Sequence, residues 1–167
     1  MKLLILFFPL ISQISTITFD CKSFGTFSRS DGFSSTYFCW EPIVSNINDS
    51  QTLTALAEQH HSQTENNKVK GLFIFDVLDL TFFPKGIEQF LPNIDLIYIE
   101  KTGIHSLTGD EFKPFKNLYW LRFHNNKNLE TVPGNLLESA PLIKVLSFLD
   151  NNIKHVDDSL FDGLTQL

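Results

Sequence analysis

Cysteine is scarce in this 167-residue chain, which has only Cys21 and Cys39 and no C-x-x-C pair. There is also no H-E-x-x-H, no G-x-S-x-G and no glycine-rich phosphate loop, so no familiar enzyme constellation is present and no catalytic residue is assigned. Basic charge is short as well: 13 Lys plus Arg stand against 19 Asp plus Glu, for a formal net charge of -6. With no basic cluster to track a phosphate backbone, nucleic acid is not an expected partner. No apolar run approaches the roughly 20 residues of a transmembrane helix, so no membrane span is expected. What is present, 43% hydrophobic and 19% charged residues, suits one globular domain with a sizeable core.

The N-terminus has the three-part layout of a secretory leader. Met1-Lys2 precedes the apolar run Leu3 to Ile11, "LLILFFPLI", and the small polar stretch "SQISTIT" follows. Residues 1–19 are therefore expected to be removed, leaving a secreted, extracellular chain. In an oxidising compartment Cys21 and Cys39 are expected to pair and close a short N-terminal loop, worth about 3 kcal/mol if unstrained. Two unpaired thiols, or pairing between chains, stay open as alternatives. Asn48-Asp49-Ser50 is the one Asn-x-Ser/Thr sequon, which makes Asn48 a candidate glycosylation site.

The rest of the chain repeats. Leu118, Leu121, Phe123 and Asn126 recur 24 residues earlier as Ile94, Ile97, Ile99 and Thr102, followed by Ile104, Leu107, Phe112 and Phe115. Upstream, Val69, Leu72, Ile74 and Val77 precede Leu80, Phe83, Ile87 and Leu91. Downstream, Ile143, Leu146, Phe148 and Asn151 lead to Ile153, Val156, Phe161 and Leu164, and Leu167 falls where a fifth unit would open. About four units of 24 or 25 residues thus fill 69–167.

The pattern L-x-x-L-x-L-x-x-N-x-L, clearest in "LYWLRFHNN" and "IKVLSFLDNN", resembles the leucine-rich repeat. The resemblance covers roughly 100 residues, and Val77 and Thr102 depart from it by replacing the Asn. It implies an α/β-type solenoid: a right-handed superhelix with a parallel concave β-sheet and a mostly irregular convex side. One repeat cannot bury its own apolar face, so neighbours stack into a continuous core. Unit positions 4 and 6 of each strand point inward while position 5 points out, because side chains alternate. The position-9 Asn is expected to satisfy turn backbone that burial would otherwise leave unpaired.

Residues 20–68 differ in composition and read as a disulfide-tied N-terminal cap over the first coil. Within them "STYFCWEPI" is a strand candidate, whereas "DSQTLTALAEQHH" fits a capped helix or a strand. Small secreted leucine-rich-repeat proteins of insects are similar here, with two cysteines near the mature N-terminus. At the other end "FDGLTQL" stops without a closing cap, so the chain reads as truncated, or as covered there by a partner.

Candidate sites divide by face. His60-His61 lacks a third ligand at workable spacing and reads as a solvated connector, so no metal and no cofactor is expected. Asp157-Asp158 falls on the convex side as a solvated face. On the concave side, position 3 carries Gly71, Leu96, Trp120 and Val145; position 5 carries Phe73, Tyr98, Arg122 and Ser147; position 7 carries Phe75, Glu100, His124 and Leu149. Phe73, Phe75, Tyr98, Trp120, Arg122 and His124 then form one patch rich in the aromatic and Arg residues that anchor interfaces. Single exposed aromatics are ordinary in strands, and a cap over the first strand would turn Phe73 into packing. The expected role is a secreted, non-enzymatic module that recognises an extracellular protein or other ligand. The alternative is a fragment of a cell-surface leucine-rich-repeat receptor ectodomain.

Overall fold

A computed structural model describes residues 17–27, 36–45, 53–56 and 67–167. Its strands are β1 (Ile17–Phe27), β2 (Thr36–Ser45), β3 (Leu53–Leu56), β4 (Val69–Phe75), β5 (Leu96–Glu100), β6 (Trp120–His124), β7 (Thr131–Val132), β8 (Val145–Ser147) and β9 (His155–Val156). Seven form one sheet in the order β3-β1-β2-β4-β5-β6-β8. From β2 onward all neighbours run parallel.

Register follows from the repeat. Leu72, Ile97, Leu121 and Leu146 pair in one row, and Ile74, Ile99 and Phe123 in the next. A one-residue slip would turn both rows outward, so burial of these side chains holds the register. All of them are fully buried except Leu146, which packs partly buried against the same core. The return segments close that core with the short helix α1 (Ile87–Phe90) and three 3-10 turns, Asp110–Phe112, Gly134–Leu137 and Asp158–Phe161. On this side β7 and β9 pair parallel as a second, two-stranded sheet. Phenylalanines link the layers: Phe83 and Phe112 lie 5.3 Å apart, Phe112 and Phe123 6.2 Å, and Phe123 stacks on Phe148 at 5.9 Å.

After each strand the chain leaves the sheet through one residue with left-handed backbone: Asp76, Lys101, Asn125 and Asp150, with φ from 52° to 57°. Asp and Asn tolerate this conformation better than most residues, and Lys101 shows that the turn imposes it regardless. Successive turns are tied by backbone bonds from Asp76 N–H to the Glu100 carbonyl, Lys101 N–H to His124 and Asn125 N–H to Leu149, at 3.0 to 3.1 Å.

The position-9 residues do what their chemistry suggests. Asn126 Oδ1 accepts from the Thr102 N–H at 2.9 Å and its hydroxyl at 2.7 Å, while Asn126 Nδ2 donates to the Ile99 carbonyl at 3.3 Å. One coil on, Asn151 Oδ1 accepts from the Asn126 N–H at 2.8 Å and Asn151 Nδ2 donates to the Phe123 carbonyl at 2.6 Å. Each Asn therefore serves the coil before it. Thr102 joins the ladder through its hydroxyl, whereas Val77 brings only apolar packing.

The region before the repeats extends the sheet. "STYFCWEPI" lies within β2, as its β-branched and aromatic residues suggest, and the ambiguous "DSQTLTALAEQHH" contributes strand β3 at Leu53–Leu56. β2 pairs parallel with β4 and antiparallel with β1, so the solenoid sheet continues into the N-terminal region instead of stopping at its first repeat. Cys39 is fully buried and sits opposite Leu72 at that seam. β1 opens at Ile17, within the 1–19 read as a leader, and pairs with β3 through Ile17, Thr18 and Phe19. Asn48, His60 and His61 lie outside the described residues.

Candidate functional site on the concave sheet

Strand alternation sends unit positions 3, 5 and 7 to the face opposite the core. Pairing then aligns them in columns: Gly71, Leu96, Trp120 and Val145; Phe73, Tyr98, Arg122 and Ser147; Phe75, Glu100 and His124. These columns form two regions of different chemistry.

Toward the N-terminal side the face carries a second apolar cluster. Phe38 from β2, Phe73 and Leu96 are buried to 2%, 8% and 3% exposure, with Phe75, Tyr98 and Trp120 packed beside them. The Phe38 ring meets Phe73 edge-on at 4.7 Å, and Phe75 meets Tyr98 edge-on at 5.1 Å. Gly71 makes room for this, because a Cβ there would overlap the Phe38 ring. Phe73 is thus packing and not contact surface, since the first repeat strand lies beside the N-terminal region. The sequence signal for this was the glycine in a strand interior, a mark of close approach.

Toward the C-terminal side the face is polar and half-buried. Tyr98 Oη donates to Glu100 Oε2 at 2.7 Å and lies 3.2 Å from His124 Nδ1, while His124 Nε2 lies 2.8 Å from Ser147 Oγ. Asn125 Nδ2 donates to the other Glu100 oxygen at 3.3 Å. The Arg122 guanidinium sits over the Trp120 ring, 4.1 Å from its centroid, in cation–π geometry. Burial and then the Glu100 hydrogen bond push the Tyr98 hydroxyl up to about 12, so it stays protonated as a donor. Burial, followed by the Arg122 charge, pushes His124 below its ordinary value, against the opposing pull of Glu100 and Asp150.

The structure therefore gathers Phe75, Tyr98, Trp120, Arg122 and His124 on one half-buried surface and removes Phe73 from it. Glu100 and Ser147 belong to the same network, a role that their places in the columns do not reveal. Nothing in residue type alone marks Ser147, because its part depends on His124, a diagonal neighbour on the adjacent strand and not its register partner Arg122. Beside this face, at the turn row, Asp76, Leu78, Lys101, Asn125 and Lys127 line an open groove of about 650 Å³. Asp157 and Asp158 are exposed on the convex side, and Asp157 also caps the last 3-10 turn by accepting from the Ser159 N–H. Among the described residues, no three His, Cys, Asp or Glu group to hold a metal ion, and no helix is long and apolar enough to cross a membrane.

No protein-family model and no curated protein matches the sequence. Among solved structures the chain is similar to the receptor Toll in "Structure of the Toll - Spatzle complex, a molecular hub in Drosophila development and innate immunity", with a TM-score of 0.54 and 16% identity. The likeness covers 71% of this chain and 16% of that one, and at this identity it concerns the fold alone. A stacked, solenoid-like arrangement with a parallel sheet is common to both.

Proposed function

We propose that this chain is a secreted leucine-rich-repeat recognition module without catalytic activity, which binds an extracellular protein through its concave sheet. The observation that carries the reading is the alignment of Tyr98 with Arg122, and of Glu100 with His124, beside Trp120. That alignment presents aromatic, cationic and hydrogen-bonding groups together on rigid strands, the composition and preorganisation typical of binding hot spots. The fold likeness to Toll, whose structure holds a protein ligand, is consistent with it. Leader removal and a Cys21–Cys39 bond belong to the same reading. Cys39 is buried at the seam between β2 and β4, and Cys21 is the one other cysteine in the chain.

The experiment is a two-face comparison on a partner isolated from extracellular fluid. Tyr98→Ala on the concave sheet is expected to weaken binding, and Lys113→Ala on the convex side to leave it unchanged. The reverse pattern would move the site off the sheet. A second reading is a piece of a cell-surface receptor ectodomain; the chain spans 16% of the length of the Toll chain it resembles in fold. The intact mass of the native protein, after reduction and deglycosylation, separates the two.

A further inference from the structure

The hydrogen bonds on the polar half of the concave face have a fixed direction. A carboxylate only accepts, so the Tyr98 hydroxyl spends its proton on Glu100 at 2.7 Å. The Tyr98 oxygen can then meet His124 Nδ1, 3.2 Å away, only as acceptor. This assigns neutral His124 as the Nδ1–H tautomer and leaves Nε2 as a bare lone pair. At 2.8 Å from Nε2, Ser147 Oγ must therefore be the donor. The chain runs in one sense from Ser147 on β8, through His124 on β6, to Tyr98 and Glu100 on β5.

We infer that His124 is a proton-operated element of this face: one proton at Nε2 reverses the Ser147 hydrogen bond, frees its hydroxyl proton for a ligand, and places a second positive charge near Arg122. The charged and titratable groups around the ring are Glu100 and Tyr98 from β5, Arg122 on its own strand and Asp150 from the turn after β8. Burial and then Arg122 oppose the added charge, while Glu100 and Asp150 favour it, so the net pull is against the proton. The depressed affinity of His124 for protons agrees with this wiring. The unfolded chain then takes up the proton before the folded one, so this group's contribution to stability is present above about pH 6.5 and is lost as pH falls through the folded value.

The value of this switch to binding rests on the concave-face reading, but its test needs no ligand. Histidine ring nitrogens in the 15N-labelled full chain report tautomer and titration directly. The expected spectrum has Nδ1–H at neutral pH, a titration midpoint below the ordinary value of about 6.5, and loss of the Nδ1–H preference in Tyr98→Phe. Ser147→Ala, which removes the donor to Nε2, is expected to raise the midpoint. An Nε2–H tautomer in the unmodified protein, or a tautomer and midpoint indifferent to both substitutions, would overturn the inference. Either failure leaves the binding reading standing, since that reading depends on contact and not on His124 charge.

Discussion

Asn126 Oδ1 accepts the Thr102 backbone N–H at 2.9 Å across one full coil, and both residues are buried. The bond connects turns that have no other side-chain means of satisfying that N–H, so it links the repeat pattern directly to solenoid stability. Asn126→Ala would strand the Thr102 N–H and hydroxyl and the Ile99 carbonyl at once, at a cost on the order of 2–4 kcal/mol. Denaturant unfolding should show that loss. Asn151→Ala, at a residue that is itself only partly buried, is expected to cost less, because water can reach the groups it leaves.

Gly71→Ala tests the seam between the N-terminal region and the repeats. The added methyl would overlap the buried Phe38 ring, which is expected to destabilise the chain by about 1–3 kcal/mol. In a Phe38→Ala background the same substitution should cost much less, because the clash is gone. Additive costs in this double-mutant cycle would place the strain elsewhere.

The repeat was legible because inward residues recur at a fixed period, and burial confirms the rows Leu72, Ile97, Leu121 and Ile74, Ile99, Phe123. The left-handed row was not, because Lys101 hides a position that Asp76, Asn125 and Asp150 would otherwise suggest. The concave site was half legible. Columns follow from the period, but the cover that Phe38 lays over Phe73 comes from a segment outside the repeat. The hydrogen-bond chain from Ser147 to Glu100 depends on atomic reach across three strands, which no spacing rule encodes.

The sheet bears on where the proposed leader would end. β3 pairs with Ile17, Thr18 and Phe19, so cleavage after residue 19 would remove its partners in β1. If a leader is cleaved as proposed, N-terminal sequencing of the native protein is therefore expected to begin at or before Ile17. A start at Asp20 would mean that β3 does not join the sheet in the mature chain.

Disulfide mapping addresses the same region. A peptide linking Cys21 to Cys39 is expected, with a non-reduced monomer lighter than the reduced one by two hydrogens. The ladder sets Phe24 opposite Cys39 and Cys21 opposite Pro42, three residues apart in register, so closing the bond requires this part of the ladder to shift its pairing. A disulfide-linked dimer would instead mean pairing between chains.

The central claim, that the concave sheet is the binding surface, is tested most directly at Trp120. Its ring supports the Arg122 guanidinium at 4.1 Å and borders the Phe38, Phe73 and Leu96 cluster, so Trp120→Ala should remove contact area and unseat the cation together. The measurement is titration calorimetry of the purified extracellular partner against wild type and Trp120→Ala, with circular dichroism confirming that the variant folds. A loss of affinity of more than about 1 kcal/mol in a folded variant is the expected result. Equal affinity would contradict the account and remove the concave patch as the site of recognition.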